Sequence, residues 1–596
     1  MTPIYSSLLN SILTRRGWLI ALLCGGIVFP IFIQLGGRGL NEPDEGRYGE
    51  IGREMLVSGD WLVPRLNGVP HYAKPPWIYW CIAASLKIFG VNEWAARLPS
   101  ATAAVATALV VFMLGRQMAG TLAGLLASFV LVSSLLFFVV ARLITPDMML
   151  ACCITTALFC FWQWWNSEPR SWRWLLGFYL ALAIGFLDKG LVPLGVCFLT
   201  VFGFLWFQKK IHQIPKLCLG RGLLLLLLIA LPWFLILCQR NPDLYDFYLL
   251  GEVRDRIFSG RGRVQAWFYH LLWLPGDCWP WTILSACAVV AHFRWWRKKN
   301  SSSSCFLLAW FILPLLLFSL SSSKLPTYIL PIIPPISLMT GLWLAHLLKE
   351  KNQTLPEWSH VVTCCLLAAP LGGSIWYVQF RPLHHLDFWE QARLVLGLVA
   401  ASILFGIVIW QLLRFFPRDR ILPASLGLWW LISLITLHTI VFHMEKFDAE
   451  LGHNSSWREL TRALEGMDLV GIPIQPGIHP NGRKPEFTRT GPRVVMYEFY
   501  FRSSSFYLMK NQNEVVPLYG GDSLWELKND RESEAKPTRD DLITLLKGSE
   551  TVFAFTRPQY LDELRELTKM DLPSKTAASG KHQVVLFCNK SKYKNL

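Results

Sequence analysis

Apolar residues run along this chain in long blocks separated by short charged joints. Gly222–Cys238 and Phe306–Leu320 contain no charged residue, and roughly 20 mostly apolar residues suffice for a helix to cross a bilayer. The pattern predicts about 13 spans, near residues 18–35, 97–115, 120–140, 147–165, 172–187, 190–207, 221–239, 279–296, 304–320, 327–348, 359–378, 392–413 and 421–441. The first follows Arg15 and Arg16 as a signal peptide would, but no small-residue cleavage site stands near Gln34–Leu40, so an uncleaved helix is expected. Beyond residue 443 the pattern changes. "RVVMYEFYF" and "HQVVLFCN" alternate as strands do, and "YLDELRELTKM" has helical spacing. The expected fold is an α-helical polytopic membrane domain over 1–443, followed by a soluble α/β domain over 444–596.

Composition agrees. Of 596 residues, 53% are hydrophobic and 16% charged, against about 25% charged in a soluble domain. The net charge of +16 would suggest nucleic acid on a soluble protein; on this one it is read as topology, and no nucleic-acid partner is expected. Most of the 14 cysteines fall in apolar blocks, and a lone Cys588 near the end makes no disulfide framework.

With the N-terminus in the cytoplasm, the inside loops collect about 18 basic residues against Glu168, Glu350 and Asp419, as the positive-inside rule requires. The outer face then receives the first loop (36–92), 141–146, the loop near 187–190, 240–278, 319–326 and everything after about 445. The protein is placed in a bacterial inner membrane, with the C-terminal domain in the periplasm.

That face is where the unexpected charges lie. "NEPDEGRYGEIGREML" puts Asp44, Glu45 and Arg47 at the mouth of the first span, and "HYAKPPWIYW" adds Lys74. Asp147 stands in "RLITPDMM", Arg254 and Arg256 in the large loop, and Lys324 and Tyr328 in "SSSKLPTYILP". Charges near hydrocarbon are costly and mark function. Cations at headgroup depth suit a phosphate, and carboxylates beside them suit activation of an acceptor. Singly, each has a structural reading: Asp44 as a helix cap or partner of Arg47, Asp147 or Thr145 as a cap, Lys74 snorkelling to headgroups, Tyr328 in an aromatic belt. The conjunction points to transfer chemistry on a lipid-linked phosphate ester.

The stretches "NEPDEGRYGEIGREMLVSGDWLVPRLNG…HYAKPPWIYW", "ITPDMM", "LDKG", "PGDCWPW" and "SKLPTYILP", in this order through roughly residues 18–350, resemble the GT-C glycosyltransferases that use polyprenyl-phosphate sugars. The likeness is above all to the bacterial aminoarabinose transferases that modify lipid A, and beyond them to protein O-mannosyltransferases. The resemblance implies an outer-face active site, an undecaprenyl-phosphate sugar donor, inverting transfer to lipid A or another envelope acceptor, and contact with membrane lipids. It places the catalytic acid on Asp44, the second acid on Asp147, and the phosphate contacts on Lys74, Tyr328 and Arg256. Glu45 is counted with the catalytic acids, and Arg47 and Lys324 with the substrate-binding cations. The family's metal pair is replaced: Ala73 stands where those transferases commonly have Glu, and Val253 where they commonly have His. No cofactor is therefore expected, and no zinc at that place. The rival readings are a protein O-mannosyltransferase-like enzyme and a transporter or lipid flippase; the transporter reading is weakened because the charges gather at one face and no internal repeat is visible.

Overall fold

Where apolar blocks meet proline, glycine and serine, the chain breaks its helices and re-satisfies the freed backbone. The computed structural model describes residues 28–41, 44–66, 69–240 and 265–349, with a few isolated positions and short segments between 493 and 588. The spans expected near 359–378, 392–413 and 421–441, together with Val253, Arg254, Arg256 and most of 444–596, lie outside the described residues. The chain divides into two compact units: Met1–Ile33 with Ser100–Val441, and Gln34–Pro99 with Phe442–Leu596.

In the first unit Pro146–Asn166, Trp172–Lys189, Val192–Phe207, Leu219–Arg240, Thr282–Lys299, Ser302–Leu320 and Ile333–Lys349 are helical. Among the described residues, five helices are long and apolar enough to cross a membrane. The most enclosed is Pro326–Lys349, 89% buried over its apolar window; the most peripheral is Leu219–Arg240, at 33%, which turns Leu223, Leu224 and Leu228 outward. Helix contacts are made through small residues, as expected where hydrocarbon gives no hydrophobic drive between helices. Gly341 lies so close to Ala127 that an added Cβ would stand 2.3 Å from its backbone nitrogen. Gly177 accommodates the Cys160 thiol in the same way. Phe161, Trp162, Phe204, Phe306 and Trp310 interlock face and edge in the core.

The span expected at 120–140 is two helices, Thr121–Val132 and Leu135–Ala141, bent by 70° at Ser133–Ser134. Periodicity cannot show this bend, because both halves are apolar. The break is paired: Leu135 N–H donates to the Trp279 carbonyl at 2.9 Å, and the Trp281 indole donates to Ser133 Oγ at 2.8 Å. Backbone left unpaired in hydrocarbon would be costly. Arg142, also buried, donates to the carbonyls of Pro30, Ile31 and Ile33.

In the second unit the first loop is itself helical. Asp44–Ser58 packs on Trp77–Phe89 through Gly52, whose added Cβ would meet Ile82 Cγ2 at 2.5 Å. A two-strand hairpin, Arg65–Leu66 with Val69–Pro70, lies between them, and the start of Glu93–Ala119 follows, the rest of that helix, from Ser100 on, belonging to the first unit. Near the C-terminus, strands form a five-stranded mixed sheet in the order Val515–Pro517, Arg493–Met496, Val552–Thr556, His582–Cys588, Ser574–Ser579. The first three are mutually parallel and the last two antiparallel. Helix Pro558–Thr568 follows the Val552–Thr556 strand. Two of these strands and this helix coincide with the elements expected from alternation and helical spacing.

Candidate active site

Asp44 opens the helix Asp44–Ser58, whose first turn also carries Glu45. Carboxylates there face the positive end of the helix dipole. The Arg47 guanidinium donates to Asp44 Oδ1 and also lies 5.1 Å from the Tyr48 ring centroid. Asp44 remains 43% exposed while Arg47 is 9% exposed. Asp44 is thus oriented by a buried cation and open to an incoming group.

Glu45 points the other way and is buried. Arg38 donates to its carboxylate at 2.7 and 3.2 Å, Arg97 at 2.8 and 2.9 Å, and the Asn41 amide at 3.0 Å. Arg97 is fully buried and also donates to the carbonyls of Leu35, Arg38 and Gly39. Burial alone would raise the Glu45 carboxyl, but the two guanidiniums and the amide outweigh it and hold it at about 2. A carboxylate so engaged is a fastener. Arg53 and Glu50 form a second buried pair at 2.8 Å on the same helix. Lys74 immediately precedes Pro75 and Pro76, at the entrance to Trp77–Phe89.

In the other unit Asp147 lies in the first turn of Pro146–Asn166 and is buried. It does not cap this helix. Thr145 occupies the cap position in extended conformation without a side-chain capping bond, and Pro146 starts the first turn. The Asp147 carboxylate instead accepts from Lys189 Nζ, at the last residue of Trp172–Lys189. That ammonium lies 4.4 Å from the centroid of the Tyr328 ring. Asp147, Lys189 and Tyr328 are therefore one constellation, joined from three elements. Lys324 sits just before the Pro326–Ile332 turn, with Nζ donating to the carbonyls of Ser321 and, at 3.1 Å, Gln265. Its burial lowers its pKa.

Sequence reasoning did not assign Lys189, Arg97 or Arg38. Lys189 stands in the quoted "LDKG", and a lysine ending an apolar helix is its signal. Arg97, early in a long apolar helix, was read only as part of a span.

The family model for dolichyl-phosphate-mannose-protein mannosyltransferase matches residues 73–236. An undecaprenyl phosphate-alpha-4-amino-4-deoxy-L-arabinose arabinosyl transferase of Photorhabdus laumondii is 31% identical over 391 residues, covering 64% of this chain and 69% of its own length. A Pseudomonas fluorescens enzyme of the same description is 31% identical over 432 residues, covering 71% and 76%. The chain belongs to this transferase family. It is a glycosyltransferase and an integral membrane protein. The crystal structure of ArnT from Cupriavidus metallidurans bound to undecaprenyl phosphate superposes with a TM-score of 0.75, covering 97% of this chain and 99% of that one, at 22% identity. The fold is accordingly the polytopic GT-C fold.

Proposed function

We propose that this transferase moves 4-amino-4-deoxy-L-arabinose from undecaprenyl phosphate to a lipid A-type acceptor at the periplasmic face of the inner membrane. The observation that carries the reading is the relationship to transferases described by that donor. In this reading the chain has about 13 spans, with a cytoplasmic N-terminus and a periplasmic C-terminal domain.

The phosphate is the leaving group, so cations that meet its developing charge lower the barrier. Lys74, Arg256 and Tyr328 hold it, and Lys189, seated over Tyr328 by Asp147, adds positive potential. The acceptor enters beside Asp44. An acceptor hydroxyl gives its proton to the Asp44 carboxylate; an acceptor phosphate is already anionic and is only positioned there. Arg47 aims Asp44. Glu45 positions the helix through Arg38 and Arg97 rather than reacting. Lys324, directed to two carbonyls, shapes the turn before Tyr328. Ala73 and Val253 offer no metal-donor atom, so transfer proceeds without a divalent ion at that place.

The test is mass spectrometry of lipid A from cells with the intact protein, with Asp44→Asn, and with the gene deleted. One aminoarabinose residue present only with the intact protein is expected. An unchanged lipid A profile alongside a sugar lost from envelope proteins would replace this reading with the protein O-mannosyltransferase-like one.

A further inference from the structure

The short helix Tyr269–Asp277 separates two environments. Trp267, Phe268, Leu271, Leu272 and Trp273 are exposed along it. His270, on its inner side, is fully buried, and neither of its ring nitrogens has a hydrogen-bond partner among the described residues. An apolar residue would fill the place without cost, whereas a buried imidazole with both nitrogens unpaired is destabilising. Such a group is explained by an occupant that completes it.

The surroundings define that occupant. The helix packs against the Pro326–Ile332 turn that carries Tyr328, and against Leu135–Ala141 and Ser302–Leu320. Burial, and then the nearby Lys324 ammonium, lower the His270 pKa to about 4. The ring is therefore neutral at neutral pH, with one nitrogen donating and the other accepting. The phosphodiester of a polyprenyl-phosphate sugar has only acceptor oxygens at that pH; matching both nitrogens to it would require an imidazolium beside Lys324. A hydroxyl both donates and accepts, and matches the neutral ring.

We propose that His270 is a sugar-binding residue of this transferase, engaging a ring hydroxyl of the sugar on the polyprenyl-phosphate donor, next to the turn that presents Tyr328. The inference rests on the polyprenyl-phosphate donor reading above but not on which sugar is carried. It separates two tasks: Tyr328 and its cations take the phosphate, and His270 takes the sugar.

The experiment is a binding comparison with the full-length protein in nanodiscs. Affinity is measured for undecaprenyl phosphate alone and for undecaprenyl phosphate bearing aminoarabinose, a neutral pentose or a hexose. The wild-type protein is expected to bind at least one glycosylated lipid about tenfold more tightly than the bare lipid, as one good hydrogen bond to a buried group allows. His270→Leu is expected to abolish that excess and leave bare undecaprenyl phosphate binding unchanged; His270→Gln, which keeps a donor and an acceptor, restores most of it. Loss of bare-lipid and glycosylated-lipid affinity by the same factor in His270→Leu would overturn the proposal, since it would show a phosphate or purely structural role. So would an excess that survives in His270→Leu, with water as the occupant, or a wild-type protein with no excess for any glycosylated lipid. An excess for the hexose rather than aminoarabinose, lost in His270→Leu, would sink the choice of sugar and sustain the sugar-binding role of His270.

Discussion

Removing Arg97 should loosen the first loop, and the size of the effect follows from its partners. Arg97→Leu deletes two bonds to Glu45 and those to the carbonyls of Leu35, Arg38 and Gly39. Breaking a buried ion pair by removing one partner costs roughly 3–5 kcal/mol, and Arg38 remains on Glu45 to offset part of it. A net local loss of about 3 kcal/mol is more than a hundredfold in the opening equilibrium. Hydrogen exchange of residues 38–58 should therefore accelerate by about that factor, with turnover falling because Asp44 begins the same helix. The pH dependence is an independent arm. Glu45 has a folded pKa of about 2 against 4.5 ordinarily, so its contribution is complete above about 4.5 and is lost as pH falls from there towards 2. The difference corresponds to about 3 kcal/mol. Glu45→Gln should lack that acid-limb dependence in the same segment. Exchange in 38–58 within about threefold of the parent for Arg97→Leu, or an unchanged acid limb for Glu45→Gln, would refute the fastening role.

Other expectations follow from single contacts. Asp147→Asn leaves Lys189 buried without its charge partner, so it should lower transfer more than tenfold, and Asp147→Asn/Lys189→Met should lose less than the sum of the two single changes in a double-mutant cycle. Gly341→Val should destabilise the helical unit by more than about 2 kcal/mol through collision with the Ala127 backbone, read as a lower midpoint of thermal unfolding in detergent. Burial pushes Asp277 up to about 7 from 3.8, so the folded state resists its ionisation and stability falls as pH rises between those values; Asp277→Asn should gain over the parent at pH 8, with the gap closing near pH 4. Chelation with EDTA should leave the transfer rate unchanged, and a rate that falls and returns with added zinc would contradict the metal-free reading.

The sequence was most legible where one physical rule acted alone. Apolar length gave the membrane class, and the helices Glu93–Ala119, Pro146–Asn166 and Ser302–Leu320 follow from it. Alternation placed strands at Arg493–Met496 and His582–Cys588. The bend at Ser133–Ser134 was not legible, because it depends on the Trp279 carbonyl and the Trp281 indole, more than a hundred residues away. The division of labour between adjacent acids was hidden for the same reason. Asp44 and Glu45 are chemically alike neighbours, and only the folded positions of Arg38, Arg47 and Arg97 make one reachable and the other locked. Asp147, taken alone, reads as a cap, and only its folded contact with Lys189 shows it as part of a constellation.

Sugar transfer at Asp44 is tested most directly by reconstitution. The purified protein in nanodiscs is given undecaprenyl phosphate-aminoarabinose and lipid A, and the product is followed by mass for the parent and Asp44→Asn. Aminoarabinose-modified lipid A is expected with the parent, and a rate at least a hundredfold lower with an equally folded Asp44→Asn protein, as befits loss of a positioned acid–base group. Transfer by Asp44→Asn at the parental rate, or no transfer by a parent that binds the donor, would contradict it.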